Sequence, residues 1–307
     1  MNPKACAFGF FMLRPIKILI ETNLFIAFAA VAFMLANAVL LDIPFTTLSY
    51  LSLQIFFSTW FVYQISRWVY YKKGVYTNKE ELVVQWFEKY PLFNQITIYG
   101  SGILALGFTF FLQWKTILVL CFAGGISVLY PIPLLKPFGI STRLRDFPFV
   151  KIFLIALVWS LTSVVLPALE NNINLLERRD VLVVQAAQFV YILFITLPFD
   201  INDAQVDKAS GIKTIPSVFG IRFSKITALL LGILYAFMLL FIFMLENWRS
   251  INDIYLTEAT ILLLWFLLIL LQAYTFFKSD KVTKWWIKIV YDGSMLLYFV
   301  IVFFTKK

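Results

Sequence analysis

The sequence predicts an all-α polytopic membrane protein, with about nine transmembrane helices in a single domain over residues 1–307. Three observations carry this reading: an apolar composition, a succession of apolar stretches of spanning length, and a lopsided distribution of positive charge. Of the 307 residues, 61% are hydrophobic and 14% are charged, against about 45–50% and about 25% in soluble domains. A water-soluble fold has no way to bury so much apolar surface. The 34 Phe, 14 Tyr and 9 Trp suit lipid-facing helices with aromatic belts at the interfaces.

A helix that crosses the hydrocarbon core needs about 20 mostly apolar residues. The stretches that qualify, or nearly do, run over residues 18–40, 46–70, 95–113, 116–131, 149–167, 181–199, 224–245, 256–277 and 286–304. The third, fourth and fifth are short. The start, Met1 to Ile20, carries Lys4, Arg14 and Lys17 but no small-residue cleavage site after a short apolar core, so the first span is expected to stay in the mature protein. Cytoplasmic loops are enriched in Lys and Arg. With the N-terminus inside and nine spans, the inside segments hold 20 of the 26 basic residues. The chain is therefore expected to be an integral, multi-pass protein of the plasma (inner) membrane, with its N-terminus cytoplasmic and its C-terminus outside. The net charge of +9 then reflects orientation in a lipid bilayer and not nucleic-acid binding. Between the second and third spans, Glu80 to Lys89 is amphipathic, with Leu82, Val83, Trp86 and Phe87 on one side. It reads equally as an interfacial helix or as a solvated loop helix.

Histidine is absent, which excludes Ser-His triads, His-ligated metals and imidazole relays. Cys6 and Cys121 are too few for a disulfide framework or a zinc site. Acids, bases and metal ligands must come from Asp, Glu, Lys, Arg, Tyr or the backbone. The informative stretch is LPFDINDAQVDKASGIKTIPSVFG, Leu197 to Gly220. Asp200, Asp203 and Asp207 are spaced three and four apart, so on a helix they fall within an arc of roughly 60°. Like charges at that spacing repel, and a cation among them is the simplest remedy. Oxygen ligands at a hydrated membrane edge suit Mg²⁺, which takes a few carboxylates and completes its shell with water and phosphate. Alternatively, Asp200 after Pro198 caps a helix with Asp203 in its first turn, which leaves Asp207 unexplained. Gly211, Thr214, Pro216 and Gly220 mark a turn and a further loop segment.

These residues resemble the UbiA superfamily of intramembrane prenyltransferases. DINDAQVDKASGIKTIPSVFG is similar to that family's second aspartate-rich motif, and YPIPLLKPFG after the fourth span, with Tyr130, Pro131 and Lys136, resembles its Tyr-Pro…Lys segment. The resemblance implies transfer of a prenyl group from a polyprenyl diphosphate to an acceptor, often aromatic, with Mg²⁺ at the aspartates and the tail in a lipid-open cavity. It makes Asp200, Asp203 and Asp207 the metal-ligand candidates, and Asp203 and Asp207 the strongest of them. Lys136, Arg143, Arg145, Lys208 and Lys213 become candidate diphosphate contacts, although positive-inside charge alone accounts for most of them.

The sequence departs from the family where an acidic motif is expected at the end of the second span. STWFVYQISRWVYYKKG stands there, without an Asp or Glu between Asp42 and Glu80. Aligning Tyr71-Lys72 with Asp207-Lys208 sets Arg67 opposite Asp203 and Gln64 opposite Asp200. Three readings stay open: a one-metal enzyme in which Arg67 replaces the missing cation, a protein that binds a prenyl or lipid phosphate without turning it over, and an Arg67 that only snorkels to the interface. Glu21, Asn23 and Asp292 are further polar residues within spans, where such groups are costly and often functional. Tyr63, Trp68 and Tyr130 either flank a prenyl chain or pack. A transporter is disfavoured because the acids cluster at the membrane edge and not at the midplane.

Overall fold

The structure is a computed structural model that describes residues 16–72, 82–130, 147, 149–209, 211–247, 254–278, 280 and 283–305. Among the described residues every regular element is helical. In chain order they are α1 (Leu24–Leu40), α2 (Ser49–Lys72), α3 (Leu82–Lys89), α4 (Pro91–Thr109), α5 (Trp114–Leu129), α6 (Val150–Glu170), α7 (Arg179–Ala209), α8 (Ile215–Phe219), α9 (Ile221–Asn247), α10 (Ile254–Lys278) and α11 (Lys284–Thr305). The protein is an all-α membrane protein. Segments Val150–Glu170, Arg179–Gln205, Ile221–Ile242 and Trp285–Phe304 are long and apolar enough to cross a bilayer, and Leu24–Leu40, Trp114–Leu129 and Leu262–Lys278 are shorter apolar helices. α2 is more polar, with Gln54 and Gln64 buried on its inward face.

Neighbours in sequence pack as neighbours in space. α2 lies on α4, α6 on α7, α7 on α9, α9 on α10 and α10 on α11, and α11 closes the ring against α1. α1 also packs on α2 and on the middle of α6. Its buried face is rich in small residues, with Ala27, Ala29, Ala32, Ala36 and Ala38, which lets three neighbours approach its backbone closely, the usual basis of helix association in lipid. Apolar side chains such as Ile103, Leu106, Phe237 and Phe266 are exposed on the outside of the bundle, where lipid covers them.

Two spans differ from the sequence reading for identifiable reasons. The fifth, expected over residues 149–167, is a 21-residue rod containing a π-turn at Leu161–Val165. The wide turn accommodates Pro167, which has no N–H to donate to the carbonyl four residues back and whose ring crowds it. The sixth, expected over residues 181–199 and so holding Pro198 near its end, is longer. α7 continues through that proline to Ala209, so Asp200 is no helix cap, and all three acids stand on its last turns. α3 forms where an amphipathic helix is expected, with Val84 and Phe87 buried and Phe87 stacked on Tyr71 of α2. The side chains of Leu82 and Val83 lie outside the described residues.

Inside the bundle, Tyr191 packs against Phe33, Tyr235 and Tyr298. Hydroxyls bridge the helices: Tyr191 Oη lies 2.7 Å from Ser294 Oγ, and Gln188 Nε2 donates to Tyr298 Oη at 2.9 Å. Tyr298→Phe removes the acceptor of Gln188 in a dry interior, where an unmatched polar group costs about 1–3 kcal/mol. A lowered thermal midpoint in detergent is expected. Unchanged unfolding would show that lipid-side rearrangement satisfies the amide.

Candidate functional site

A cavity of about 420 Å³ opens between α1, α2, α5, α6, α7 and α11. Its polar lining comes from Asn23, Tyr63, Ser66, Arg67, Tyr70, Ser127, Tyr130, Asp203, Lys288 and Asp292, and its apolar lining includes Phe25, Ile26, Val158 and Trp159. With a helical rise of about 1.5 Å per residue, these groups sort into two levels. Arg67, Asp203 and Lys288 lie near the ends of α2, α7 and α11 that form the basic rim of the bundle. Asp292 lies one turn deeper on α11, level with Tyr63 of α2 and Trp159 of α6. The volume falls at the small end of the range of about 300–1,000 Å³ typical of ligand sites.

The wall from α2 is built around a break in the first helix. Residues 16–21 are helical and α1 begins at Leu24; Thr22 and Asn23 form the turn between them, with Asn23 left-handed at φ 58°. Such a break leaves helix-end carbonyls without partners, which lipid cannot supply. α2 answers from one stripe at i, i+4 and i+7, with Trp60 and Arg67 donating to these carbonyls and Gln64 between them holding the Asn23 side chain. Trp60 Nε1 donates to the Thr22 carbonyl at 2.8 Å. Gln64 accepts from Asn23 Nδ2 at 3.2 Å and donates to Thr97 Oγ1 at 3.4 Å. Arg67 Nη1 donates to the Glu21 carbonyl at 2.7 Å and its Nη2 to the Ile20 carbonyl at 3.4 Å. Gln64 is fully enclosed and does not line the cavity, whereas Arg67 both clamps the break and lines it. A bare snorkelling role does not describe such a guanidinium: two backbone carbonyls fix its orientation.

The three acids of α7 are divided. Asp203 lines the cavity. Asp200 and Asp207 are buried and turn toward Lys151 of α6, whose ammonium is ion-paired with Asp200 and lies 3.9 Å from Asp207 Oδ2. The cation that three like charges demand is thus, for two of them, a lysine. Beyond α7 the spacing of Gly211 and Thr214 has a backbone explanation. Gly211 at φ +72° ends the helix with paired bonds, Ile212 N to the Asp207 carbonyl at 2.9 Å and Gly211 N to the Lys208 carbonyl at 3.2 Å, the double closure of a glycine-terminated helix. Thr214 then caps α8 reciprocally with Ser217. Phe149 N donates to the Lys213 carbonyl at 3.1 Å, which ties this turn to the start of α6 beside Lys151.

Of the remaining candidates, Tyr130 lines the cavity. Lys208 and Lys213 are exposed at the rim and do not line it. Lys136, Arg143 and Arg145 lie outside the described residues. Lys151 and Lys288 were not singled out by sequence reasoning, which counted both only as rim charges. The repulsion among the acids was a signal that a cation was needed; nothing local pointed to a residue 49 positions away.

A divalent cation such as Mg²⁺ is held by one or two carboxylates together with water and substrate phosphate. Asp203, a carboxylate facing a polar cavity, fits one such ion. The α2 wall turns a guanidinium and no carboxylate to the cavity and fits none. Among the described residues no group of three acids is arranged to cage a metal.

The sequence profile of the UbiA prenyltransferase family matches residues 94–300, beginning after the part of α2 that lacks acids. No curated protein sequence matches the chain. Among solved structures, a UbiA homolog from Archaeoglobus fulgidus superposes with a TM-score of 0.62 at 16% identity, covering 96% of this chain and 98% of that one. A UbiA homolog from Aeropyrum pernix K1 superposes with a TM-score of 0.64 at 11% identity, covering 91% and 96%. The A. fulgidus homolog has also been solved bound to GPP and Mg²⁺, and superposes in that form at 0.61 and 16% identity, covering 95% and 98%.

Proposed function

The chain belongs to the UbiA prenyltransferase family, and from that premise we propose that it transfers a prenyl group from a polyprenyl diphosphate to an acceptor within the membrane, with one Mg²⁺ ion held on the α7 side by Asp203. The observation that carries this reading is the convergence of Arg67, Asp203 and Lys288 on one cavity whose deeper walls, Asp292 apart, are aromatic and apolar. Arg67 and Lys288 bind the diphosphate as fixed cations, Arg67 by a forked donor pair pre-oriented on the carbonyls of the helix break. Tyr63 and Trp159 present aromatic faces to the allylic carbon and exclude water from it. Bound Mg²⁺ supplies further neutralisation of the departing diphosphate. Lys208 and Lys213 at the rim attract the headgroup, and the rim faces the cytoplasm of the inner membrane.

Purified protein in detergent is expected to release diphosphate from geranylgeranyl diphosphate when Mg²⁺ and a hydroxyarene acceptor are present. Absence of binding to any prenyl diphosphate would sink the reading. The commitment of Arg67 to the carbonyls of Glu21 and Ile20, and of Gln64 to the Asn23 side chain, supports a second reading, a prenyl- or lipid-phosphate-binding protein without turnover. Binding without release across donors and acceptors would select it.

Arg67→Lys tests the clamp under either reading. A lysine cannot fork, and a hydrogen bond to a charged group contributes about 1.5–3 kcal/mol, so binding of a non-hydrolysable geranyl thiolodiphosphate should weaken by about 10–100-fold. Tryptophan fluorescence titration reads this directly. Affinity unchanged by the substitution would remove Arg67 from the headgroup.

A further inference from the structure

We propose that Asp292, on α11, is the catalytic base that takes the acceptor's proton during transfer, an assignment that rests on the prenyl-transfer reading above. Prenyl transfer to a protic acceptor releases one proton, and this chain has no histidine to receive it. The cavity holds two carboxylates, Asp203 and Asp292. Asp203 is committed at the rim level to the diphosphate and its metal. The tyrosines Tyr63, Tyr70 and Tyr130 also line the cavity, and neutral phenols are poor proton acceptors. Asp292 remains.

Its depth fits the role. Asp292 lies four residues, about 6 Å, deeper than Lys288 along α11. A diphosphate held by Arg67 and Lys288 places its allylic carbon below the rim, and the acceptor atom that attacks this carbon meets it at the level of Asp292, Tyr63 and Trp159. The carboxylate lies within electrostatic range of Lys288 on its own helix and of Arg67 and Tyr63 on α2. Among the described residues, however, the ion pairs are Lys151 with Asp200 and Asp207, Arg178 with Asp180, and Lys225 with Asp280; none holds Asp292. A carboxylate placed eight residues inside a spanning helix, facing a cavity, is a functional group by default.

The step balances. The allylic C1–O bond breaks and its electron pair leaves on the diphosphate. An electron pair of the acceptor forms the new bond to C1. The acceptor's proton passes to the Asp292 carboxylate, and the resulting acid returns it to water at the rim. Prenyl diphosphate and protonated acceptor become prenylated acceptor, diphosphate and a proton.

The test separates ionisation of the donor from loss of the proton. Geranyl diphosphate labelled with ¹⁸O at the bridging position reports C–O cleavage and return by scrambling of the label, without an acceptor. Transfer is read by product formation with a 4-hydroxybenzoate or dihydroxynaphthoate acceptor. Asp292→Asn is expected to scramble the label at a rate close to wild type while transfer falls by 10²-fold or more, the usual contribution of a positioned base; Asp292→Glu should restore part of the loss. Transfer by Asp292→Asn within threefold of wild type overturns the assignment. Parallel loss of scrambling and transfer overturns it too, because Asp292 would then serve donor binding or the fold. Wild-type protein that neither scrambles nor transfers overturns the prenyl-transfer reading itself, and the proton assignment with it.

Discussion

Asp203→Asn is expected to lower diphosphate release from geranylgeranyl diphosphate on the order of 10³-fold, which corresponds to the several kcal/mol of charge stabilisation that a bound divalent ion contributes. The thermal midpoint in detergent should change little. The reason lies in the division of the three acids. Asn keeps the size of Asp203 but withdraws the charge that the α7 wall turns into the cavity, while the buried pairing with Lys151 belongs to Asp200 and Asp207. Asp200→Asn should behave in the opposite manner. It removes the carboxylate that pairs with Lys151 in a buried position, so stability should fall while any donor binding survives in the folded fraction. Measuring diphosphate release and thermal unfolding on both variants distinguishes a metal-ligand triad, in which both lose activity alike, from the arrangement seen here. Retention of more than a tenth of the activity by Asp203→Asn would leave the rim without its metal carboxylate.

Much of this architecture was legible because lipid imposes simple rules. The length of the apolar stretches located the spans, and most helices pack against a neighbour in sequence. What failed did so where a local signal was overridden by packing. The apolar stretch ends at residue 199, and Asp200 after Pro198 reads as a possible helix cap, yet α7 runs on through that proline to Ala209. The spacing of the acids placed them on one helix and implied a cation, but not which wall each carboxylate would face: Asp200 and Asp207 turn to Lys151, and Asp203, between them in sequence, turns to the cavity. Gln64 and Arg67 read as occupants of a lost metal site. Their part in closing the break at Thr22 and Asn23 was not legible, because the polar Glu21, Thr22 and Asn23 interrupt the apolar run without showing which residues of α2 meet them. Asn23 in a left-handed conformation is the one residue there whose type permits the turn readily.

Lys151→Met is expected to destabilise the folded protein by about 3–5 kcal/mol, the loss typical when one partner of a buried ion pair is removed and the other stays. Lys151 has a side-chain exposure of 13%, and its partners Asp200 and Asp207 of 3% and 6%, so water screens this cluster little. Without the ammonium, two buried carboxylates would face each other two turns apart on α7, with Asp203 between them, and like charges at such spacings repel. The substituted chain therefore has to protonate an acid, admit water or bend the end of α7, and the last would shift Asp203 at the cavity wall. The double variant Lys151→Met with Asp200→Asn removes the main charge imbalance and should recover part of the lost stability, since replacing both members of a buried pair is far milder than removing one. The coupling between the two substitutions, read from thermal unfolding of the wild type, both single variants and the double, is expected to exceed about 1 kcal/mol. Additive losses would mean that Lys151 acts through its position at the start of α6 and not through the acids, and the split of the aspartates into a structural pair and a cavity acid would have no electrostatic basis.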